Sequence, residues 1–253
     1  MNNYNKPCIA CSSTDSFNES YIEGWGHEIF LDLEIQICRD CGLGSVIDEP
    51  TIQEINLYYD EIYRSKDSMM FMDFLKIVPS RYHPRSFSQL LLARNFIDCN
   101  EKINIVDIGP GSGESYYASK DLFPNSDIFF VEKTIEARKL YKKYFDIHII
   151  NNLSEANIKF DLILLSHSLE HFNKDGVKDL LDDLQENLSE DGIIVIEVPN
   201  NDFRDKIHKD GLERLQDTPH LQFFSIESLT QLFNNNGFET IFNNSTGALI
   251  NLD

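Results

Sequence analysis

The segment Val106-Asp107-Ile108-Gly109-Pro110-Gly111-Ser112-Gly113 carries the strongest indication of the fold of this chain. Its apolar start completes a run over residues 103–108 that has the pattern of a buried strand. Residues 114–122 follow with the pattern of a helix, which Phe123-Pro124 stops. Three glycines between a strand and a helix let the backbone bend sharply and approach a ligand closely. The stretch therefore predicts a strand–turn–helix unit with a ligand at its turn.

On the C-terminal side of this unit, short apolar runs alternate with amphipathic segments. Further strands are predicted at residues 127–132, 147–150, 160–166 and 192–198, and helices at residues 135–144, 174–188 and 226–235. Strands that alternate with helices predict an α/β fold with a doubly wound, mostly parallel sheet. Ligands of such sheets bind at the carboxyl ends of the strands. Residues 238–242 and 247–252 are predicted to pair as a last hairpin.

The spacing of the glycines tests the nucleotide-binding alternatives. A dinucleotide fingerprint needs Gly-x-Gly-x-x-Gly or Ala, and counting from Gly109 the sixth position is Glu114. A phosphate-binding P-loop needs a Gly-Lys-Ser/Thr ending, and no lysine follows these glycines. The spacing therefore argues against a nicotinamide-dependent oxidoreductase or epimerase and against a P-loop enzyme.

The segment instead resembles motif I of the class I S-adenosylmethionine-dependent methyltransferases, which is an acidic residue, any residue and then Gly-x-Gly-x-Gly. The resemblance covers about residues 101–252. It implies a Rossmann-like sheet of seven strands, with S-adenosylmethionine as cofactor and S-adenosylhomocysteine as product. The residues that it implies for cofactor binding are Asp107, Gly109, Pro110, Gly111, Gly113, Glu132, Asn152, Leu153 and Ser166.

Two of these positions carry a specific role in the family. Glu132 ends the second strand, where the family has an acidic residue that accepts hydrogen bonds from the ribose hydroxyls. Asn152 follows the third strand, where the family often has an acidic residue against the adenine amino group, and an amide oxygen can also accept that bond. The alternatives are a helix-start carboxylate at Glu132 and a glycine connection that binds nothing.

The segment Ser166-His167-Ser168-Leu169-Glu170-His171 follows the fourth strand of the series. It resembles the His-x-Leu-Glu-His segment of a branch with small-molecule acceptors. His167 is the predicted general base, because an imidazole suits proton removal near neutral pH. Alternatively His167 only packs against the cofactor, and Glu170 and His171 form a structural pair. His171 and His220 are predicted to line the acceptor site, with a core or capping role as the alternative for His220.

Four of the five cysteines form two Cys-x-x-Cys pairs near the N-terminus. The ligand set is Cys8, Cys11, Cys38 and Cys41, with 26 residues between the pairs. Four thiolates at this spacing predict a closed, structural Zn²⁺ site in a zinc ribbon, with a hairpin between residues 21–26 and 29–37. Disulfides are the alternative, which a cytoplasmic location disfavours. The predicted domains are a zinc module at 1–47, a helical lid segment at 48–100 and the methyltransferase domain at 101–253.

The lid segment carries the predicted contacts to an anionic acceptor, at Tyr63, Arg81 and Arg85. The alternative is a tyrosine core with surface arginines. A four-cysteine module joined to a class I methyltransferase resembles a bacterial family that methylates sugars. That resemblance implies a sugar, nucleotide sugar or phosphorylated precursor of a surface polysaccharide as acceptor. A non-catalytic binding or docking protein is the competing class.

Composition limits the partners. The formal charge is −20, from 22 basic and 42 acidic residues, and so acidic a surface disfavours nucleic acid, which binds basic patches. No apolar run approaches the roughly 18 residues that a membrane span needs, and the first 20 residues lack the apolar core of a secretory signal. A cytoplasmic enzyme without membrane contact is expected. The sequence leaves the oligomeric state open.

Overall fold

The computed structural model describes residues 6–20, 30, 33–59, 84–201 and 220–245. In chain order the described strands are β1 (Ser16–Ser20), β2 (Glu34–Cys38), β3 (Gly44–Val46), β4 (Asn104–Ile108), β5 (Asp127–Val131), β6 (His148–Ile150), β7 (Phe160–Ser166), β8 (Leu188–Glu197) and β9 (Gln222–Phe223). The described α-helices are α1 (Ile52–Tyr58), α2 (Pro84–Ala93), α3 (Ser115–Leu122), α4 (Ile135–Tyr144), α5 (Lys174–Asn187) and α6 (Ile226–Asn235). Among these residues no helix combines the length and apolar character that crossing a bilayer requires.

The chain divides into two compact units. One comprises Met1–Glu49, Glu170–Val177 and Pro199–Asp253, and the other comprises Pro50–Leu169 and Lys178–Val198. This division differs from the predicted boundaries at residues 47 and 100. It groups the cysteine pairs with C-terminal segments of the chain.

The second unit is built on a parallel sheet with the strand order β6-β5-β4-β7-β8. The central residues of β4, β5 and β7 are mostly apolar and buried because helices cover such sheets. The register pairs Ile105 of β4 with Ile128 and with Leu162, so these buried side chains share one face of the sheet. Residues of α2 and α3 pack with Ile105, and residues of α4 pack with Ile128. The strand order, which turns back at β4, and the helices between successive strands confirm the predicted α/β fold with a doubly wound parallel sheet.

Most predicted elements of this unit agree with the structure to within one or two residues at each end. The predicted strand at 192–198 instead begins at Leu188, immediately after α5, and an irregularity in its pairing lies between Phe160 and Leu162 of β7. The predicted apolar face of α5 is buried at Val177, Leu181 and Leu184.

The first unit has an antiparallel sheet with the strand order β1-β2-β3-β9. The predicted hairpin between the cysteine pairs is present, but its first strand is Ser16–Ser20, and residues 21–26 lie outside the described residues. The strand β9 was not predicted. It pairs Phe223 with Gly44 and so joins the C-terminal segment to the cysteine module.

The predicted last hairpin is wrong in its first half. Residues 238–242 form no strand, because they close the C-terminus of α6 instead. Gly237 has a left-handed φ of 83°, and the amide of Phe238 donates to the carbonyl of Phe233 at 3.1 Å. Thr240 donates to the side chain of Asn234, so its backbone donor is already used. The second half, residues 247–252, lies outside the described residues.

Candidate active site at the carboxyl edge of the parallel sheet

The parallel register brings the ends of five strands to one edge of the second unit. Ile108 pairs with Val131, Val131 pairs with Ile150, and Ser166 pairs with Glu197. The chain order turns back at β4, since β5 and β6 continue to one side and β7 and β8 to the other. Such a switch point between β4 and β7 is where open α/β sheets bind ligands. The predicted site residues of this unit follow the ends of these strands.

The glycine turn after β4 holds three residues in the left-handed region. The φ angles of Gly109, Gly111 and Gly113 are 71°, 59° and 74°, and the amide of Gly113 closes the turn on the carbonyl of Pro110 at 2.8 Å. A Cβ at Gly113 would lie 2.3 Å from Cε2 of Phe145, whereas a Cβ at Gly111 would meet nothing within 4 Å. Gly113 is therefore required for packing within the chain, and Gly111 presents bare backbone to open space.

Asp107 lies directly below the turn and is 4% exposed. Its Oδ2 accepts a hydrogen bond from the Ser115 hydroxyl at 2.5 Å. Its Oδ1 is buried and has no hydrogen-bond partner among the described residues. Burial raises the pKa of this carboxyl to about 7, against which the Ser115 hydrogen bond acts. Because a buried oxygen without a partner is costly, Asp107 suits a ligand that brings a donor or a positive charge.

Glu132 follows the end of β5 and is 8% exposed. Its Oε1 accepts from the backbone amide of Thr134 at 2.9 Å, and its Oε2 lies 3.3 Å from the hydroxyl of Tyr141. The same hydroxyl donates to the carbonyl of Gly111 at 2.5 Å. Tyr141, which the sequence did not single out, thus links the glycine turn to Glu132. The carboxylate retains acceptor capacity for hydroxyl groups of a ligand.

The residues after β6 form a short 3₁₀ turn, Leu153–Ala156. The side-chain oxygen of Asn152 caps it by accepting from the amide of Glu155 at 3.0 Å. The amide of Leu153 donates to Asp183 of α5 at 3.2 Å. Within the chain, both predicted adenine contacts therefore also hold this turn in place.

His167 follows the end of β7 in a strained conformation, with a φ of 52°. Residues other than glycine seldom adopt this region, and strain of this kind concentrates at functional sites. The amide of His167 donates to the carbonyl of Glu197 at 2.8 Å, and its Nε2 lies 3.3 Å from Oε1 of the same residue. The hydrogen bond from His167 is the main cause of a lowered pKa at Glu197.

Glu197 gathers further partners at the end of β8. Nε2 of Gln89 donates to its Oε2 at 2.6 Å and to the hydroxyl of Ser166 at 2.9 Å. Nε of Arg85 lies 3.4 Å from its Oε1. Neither Glu197 nor Gln89 was predicted from the sequence. The signal available for Glu197 is a charged residue at the end of an apolar strand, which is also the position of Glu132. Among the other predicted acceptor contacts, Tyr63 and Arg81 lie outside the described residues.

The first unit holds the cysteine cluster. The Sγ atoms of Cys8 and Cys41 are 3.5 Å apart, as are those of Cys11 and Cys38, and all four lie within 4.8 Å of one another. Each pair is followed by a left-handed residue, Ser12 or Gly42, whose amide donates back to the carbonyl of the first cysteine. The hydrogen bond with Cys41 lowers the pKa of Cys8 to about 5, while burial raises that of Cys11 to about 11.

His171 and His220 also lie in the first unit, beside Glu170. The centroids of the two imidazole rings are 5.0 Å apart. Oε1 of Glu170 is 4.0 Å from Nε2 of each histidine. The structure thus brings the two predicted acceptor residues together around a buried carboxylate.

Comparison with known proteins agrees with this architecture. Residues 80–242, which are more than half of the chain, match the family described as a methyltransferase domain. No curated protein is significantly similar to the chain. Among solved structures, the plantazolicin methyltransferase BpumL, in complex with a monoazolic desmethylPZN analog and SAH, is 20% identical with a TM-score of 0.52, and the match covers 72% of each chain.

Two further structures show the same range of similarity. The plantazolicin methyltransferase BamL, with a triazolic desmethylPZN analog and SAH, is 17% identical with a TM-score of 0.52, covering 73% of this chain and 71% of that one. A protein described as an O-methyltransferase from Nostoc punctiforme is 19% identical with a TM-score of 0.46, covering 66% of this chain. The match spans 55% of the Nostoc chain. At these identities the likeness to the two plantazolicin enzymes concerns the fold. Together with the family match, it shows that the chain belongs to the methyltransferase-domain family and has the class I methyltransferase fold.

Proposed function

We propose that this chain transfers a methyl group from S-adenosylmethionine to a small-molecule acceptor. The observation that carries the proposal is the edge formed by Asp107, Gly111 and Glu132 at the switch point of the sheet. It offers bare left-handed backbone, a buried carboxyl oxygen that lacks a partner among the described residues, and a second carboxylate at the next strand end. The similar plantazolicin enzymes were crystallised with SAH, which supports the same cofactor here.

These residues fit the parts of the cofactor. Glu132 would accept hydrogen bonds from the ribose hydroxyls, and Asp107 would compensate positive charge near the methionine part. Gly111 lets the backbone approach without a side chain between. Asn152, Leu153 and Ser166 would border the adenine and the sulfonium. When bound, S-adenosylmethionine supplies a methyl group on a positively charged sulfur.

His167 would act as the general base, with Glu197 as the residue that positions it. A ring proton on Nε2 directed at Glu197 leaves the lone pair of the neutral imidazole on Nδ1. The acceptor atom would form its bond to the methyl carbon while the carbon–sulfur electron pair stays with sulfur. The acceptor proton would pass to His167, whose positive charge Glu197 then stabilises.

For the acceptor, we propose a sugar, nucleotide sugar or phosphorylated precursor of a bacterial surface polysaccharide. The resemblance to sugar methyltransferases and the cationic residues Arg81 and Arg85 support it. Because a guanidinium binds phosphate or carboxylate in a bidentate manner, Arg81→Ala and Arg85→Ala are expected to raise the acceptor KM and to leave cofactor binding unchanged. Arg85 also contacts Glu197, so its variant is expected to lower kcat as well.

The four cysteines would hold a structural Zn²⁺ ion. Tetrahedral zinc with thiolates at about 2.3 Å places its sulfur atoms about 3.8 Å apart, close to the spacing of this cluster. Four neighbouring thiols cannot all ionise without a cation, and a bound metal ion supplies it. Four ligands leave no open position, so the ion stabilises the ribbon and takes no part in methyl transfer.

The deciding experiment is calorimetry with S-adenosylhomocysteine, followed by a mass search for methylated products in metabolite pools. Micromolar binding and a product 14 Da heavier than its precursor are expected from the transfer of one methyl group. Absence of binding at millimolar concentration would instead favour a non-catalytic docking protein. His167→Ala is expected to lower turnover far more than cofactor affinity, whereas the exposed His148 gives a control variant, His148→Ala, that retains both. Equal losses of turnover and affinity would exclude the base role.

A further inference from the structure

We propose that Glu170, His171 and His220 bind one divalent transition-metal ion, separately from the four-cysteine cluster. One ligand atom from each residue lies within 4.8 Å of the other two. Oε1 of Glu170 is 4.0 Å from Nε2 of each histidine. Ligands at about 2.1 Å from one ion lie roughly 3–4 Å apart. Small side-chain shifts therefore close this set around an ion.

The burial of the cluster supports a cation at its centre. The side chain of Glu170 is 1% exposed, that of His220 7% and that of His171 16%. A carboxylate so far from water requires compensating positive charge. The imidazoles of His171 and His220 each bring a nitrogen to 4.0 Å from Oε1 of this carboxylate. An ion between the three groups would bind two nitrogens and one carboxylate oxygen at once, and the more exposed edge at His171 gives it a way in.

The backbone holds the three ligands in place before any ion binds. Glu170 and His171 share the 3₁₀ turn Leu169–His171. The amide of Leu221, next to His220, donates to the carbonyl of Glu170 at 2.8 Å. Gln222 is fixed in turn, since its side chain accepts from Ser45 and donates to Glu49, both at 2.6 Å. The geometry of the cluster is therefore set by buried hydrogen bonds of the same unit.

The donor set also indicates which ions the site takes. Two imidazoles and one carboxylate suit first-row ions such as Mn²⁺, Fe²⁺, Co²⁺ and Zn²⁺, whereas thiolate clusters select zinc and softer ions. Three protein ligands leave coordination positions open, as in sites that bind water or a substrate oxygen. Mn²⁺ is therefore a probe that separates this site from the cysteine cluster.

The test is a titration with Mn²⁺ of the full-length protein loaded with only one equivalent of Zn²⁺, which the four thiolates take up. Binding is followed through the electron paramagnetic resonance of the free Mn²⁺ ion. The wild type is expected to bind one Mn²⁺ per chain. Removal of one ligand in His171→Gln or Glu170→Gln should weaken Mn²⁺ binding by at least about tenfold, since even residues that only orient the metal ligands contribute that much. His148→Gln replaces a histidine of the other unit and is expected to bind as the wild type does.

His171 is the most exposed of the three ligands, so its variant is the one expected to fold without difficulty, and circular dichroism verifies this. The proposal is overturned if the wild type binds neither Mn²⁺ nor Co²⁺ at millimolar concentration, or if folded His171→Gln binds as tightly as the wild type. The probe is the metal alone. The Mn²⁺ titration can therefore succeed even if S-adenosylhomocysteine does not bind. Likewise, S-adenosylhomocysteine can bind even if Mn²⁺ does not.

Discussion

Replacing Gly111 with alanine tests whether the glycine turn faces the cofactor. The φ of Gly111 is 59°, and an added Cβ would meet no atom of the chain within 4 Å. The cost to folding is therefore the left-handed conformation alone, roughly 1–2 kcal/mol, which lowers Tm by roughly 2–8 °C. If the cofactor occupies that space, the new methyl overlaps it at a cost of about 1–3 kcal/mol. The affinity for S-adenosylhomocysteine would then fall roughly 5- to 150-fold.

The matched control is Gly113→Ala, at which the clash is internal. The φ is 74°, and the new Cβ would lie 2.3 Å from Phe145. Overpacking adds to the backbone cost, so the unfolding free energy should fall by about 2–5 kcal/mol. Calorimetry with S-adenosylhomocysteine and thermal unfolding without ligand are measured on both variants. Wild-type affinity in Gly111→Ala would refute the reasoning, because the backbone at that position would then not face the cofactor.

Three further predictions concern the groups around the site and the cysteine cluster. Burial raises the pKa of Asp107 from 3.8 to about 7, so the folded state binds more protons than the unfolded state between these values. The unfolding free energy should therefore fall by up to roughly 4 kcal/mol as pH rises from about 4 to about 7. Denaturant unfolding of Asp107→Asn should lack this slope, and an unchanged slope would contradict the assignment. Glu197→Gln should lower kcat by about 10²–10⁴-fold, which is the contribution typical of a general base. It should also shift the pH–rate profile and change cofactor affinity little. An unchanged pH–rate profile would show that Glu197 does not position the base. Elemental analysis of Cys38→Ser should show the loss of one zinc equivalent, and the variant should become sensitive to protease. The control variant Cys99→Ser should keep its zinc. Equal zinc content in the two variants would argue against zinc binding by the four-cysteine cluster.

The sequence predicted the local elements well where one period or one turn determined them. Helix α4 and strand β7 have the predicted bounds, because their apolar spacing specifies a single type of element. The prediction failed at residues 238–242, where a β-like pattern competed with the backbone hydrogen bonds that close α6. These bonds join residues five and six positions apart, and they form because α6 ends immediately before this segment.

In the candidate site, too, some residues were predicted from the sequence and others were missed. Asp107, the three glycines and Glu132 were predicted from the resemblance to motif I and to the strand end that follows it, and these positions are defined by short segments of sequence. Gln89 and Glu197 were missed because they meet across 108 positions of the chain. No periodicity of the sequence encodes that contact, which requires α2 and β8 to be placed by packing.

The α/β fold, the glycine turn and the paired cysteines could be read from the sequence alone, because sterics at glycine and the alternation of strands and helices are local properties. The tertiary structure decided which distant side chains share a site. It paired His167 with Glu197 through the register of two parallel strands. It also joined β9 to β3 and so brought His171 and His220 to the buried carboxylate of Glu170. Those contacts follow from strand register and backbone hydrogen bonds between segments far apart in the chain, which only the folded chain brings together.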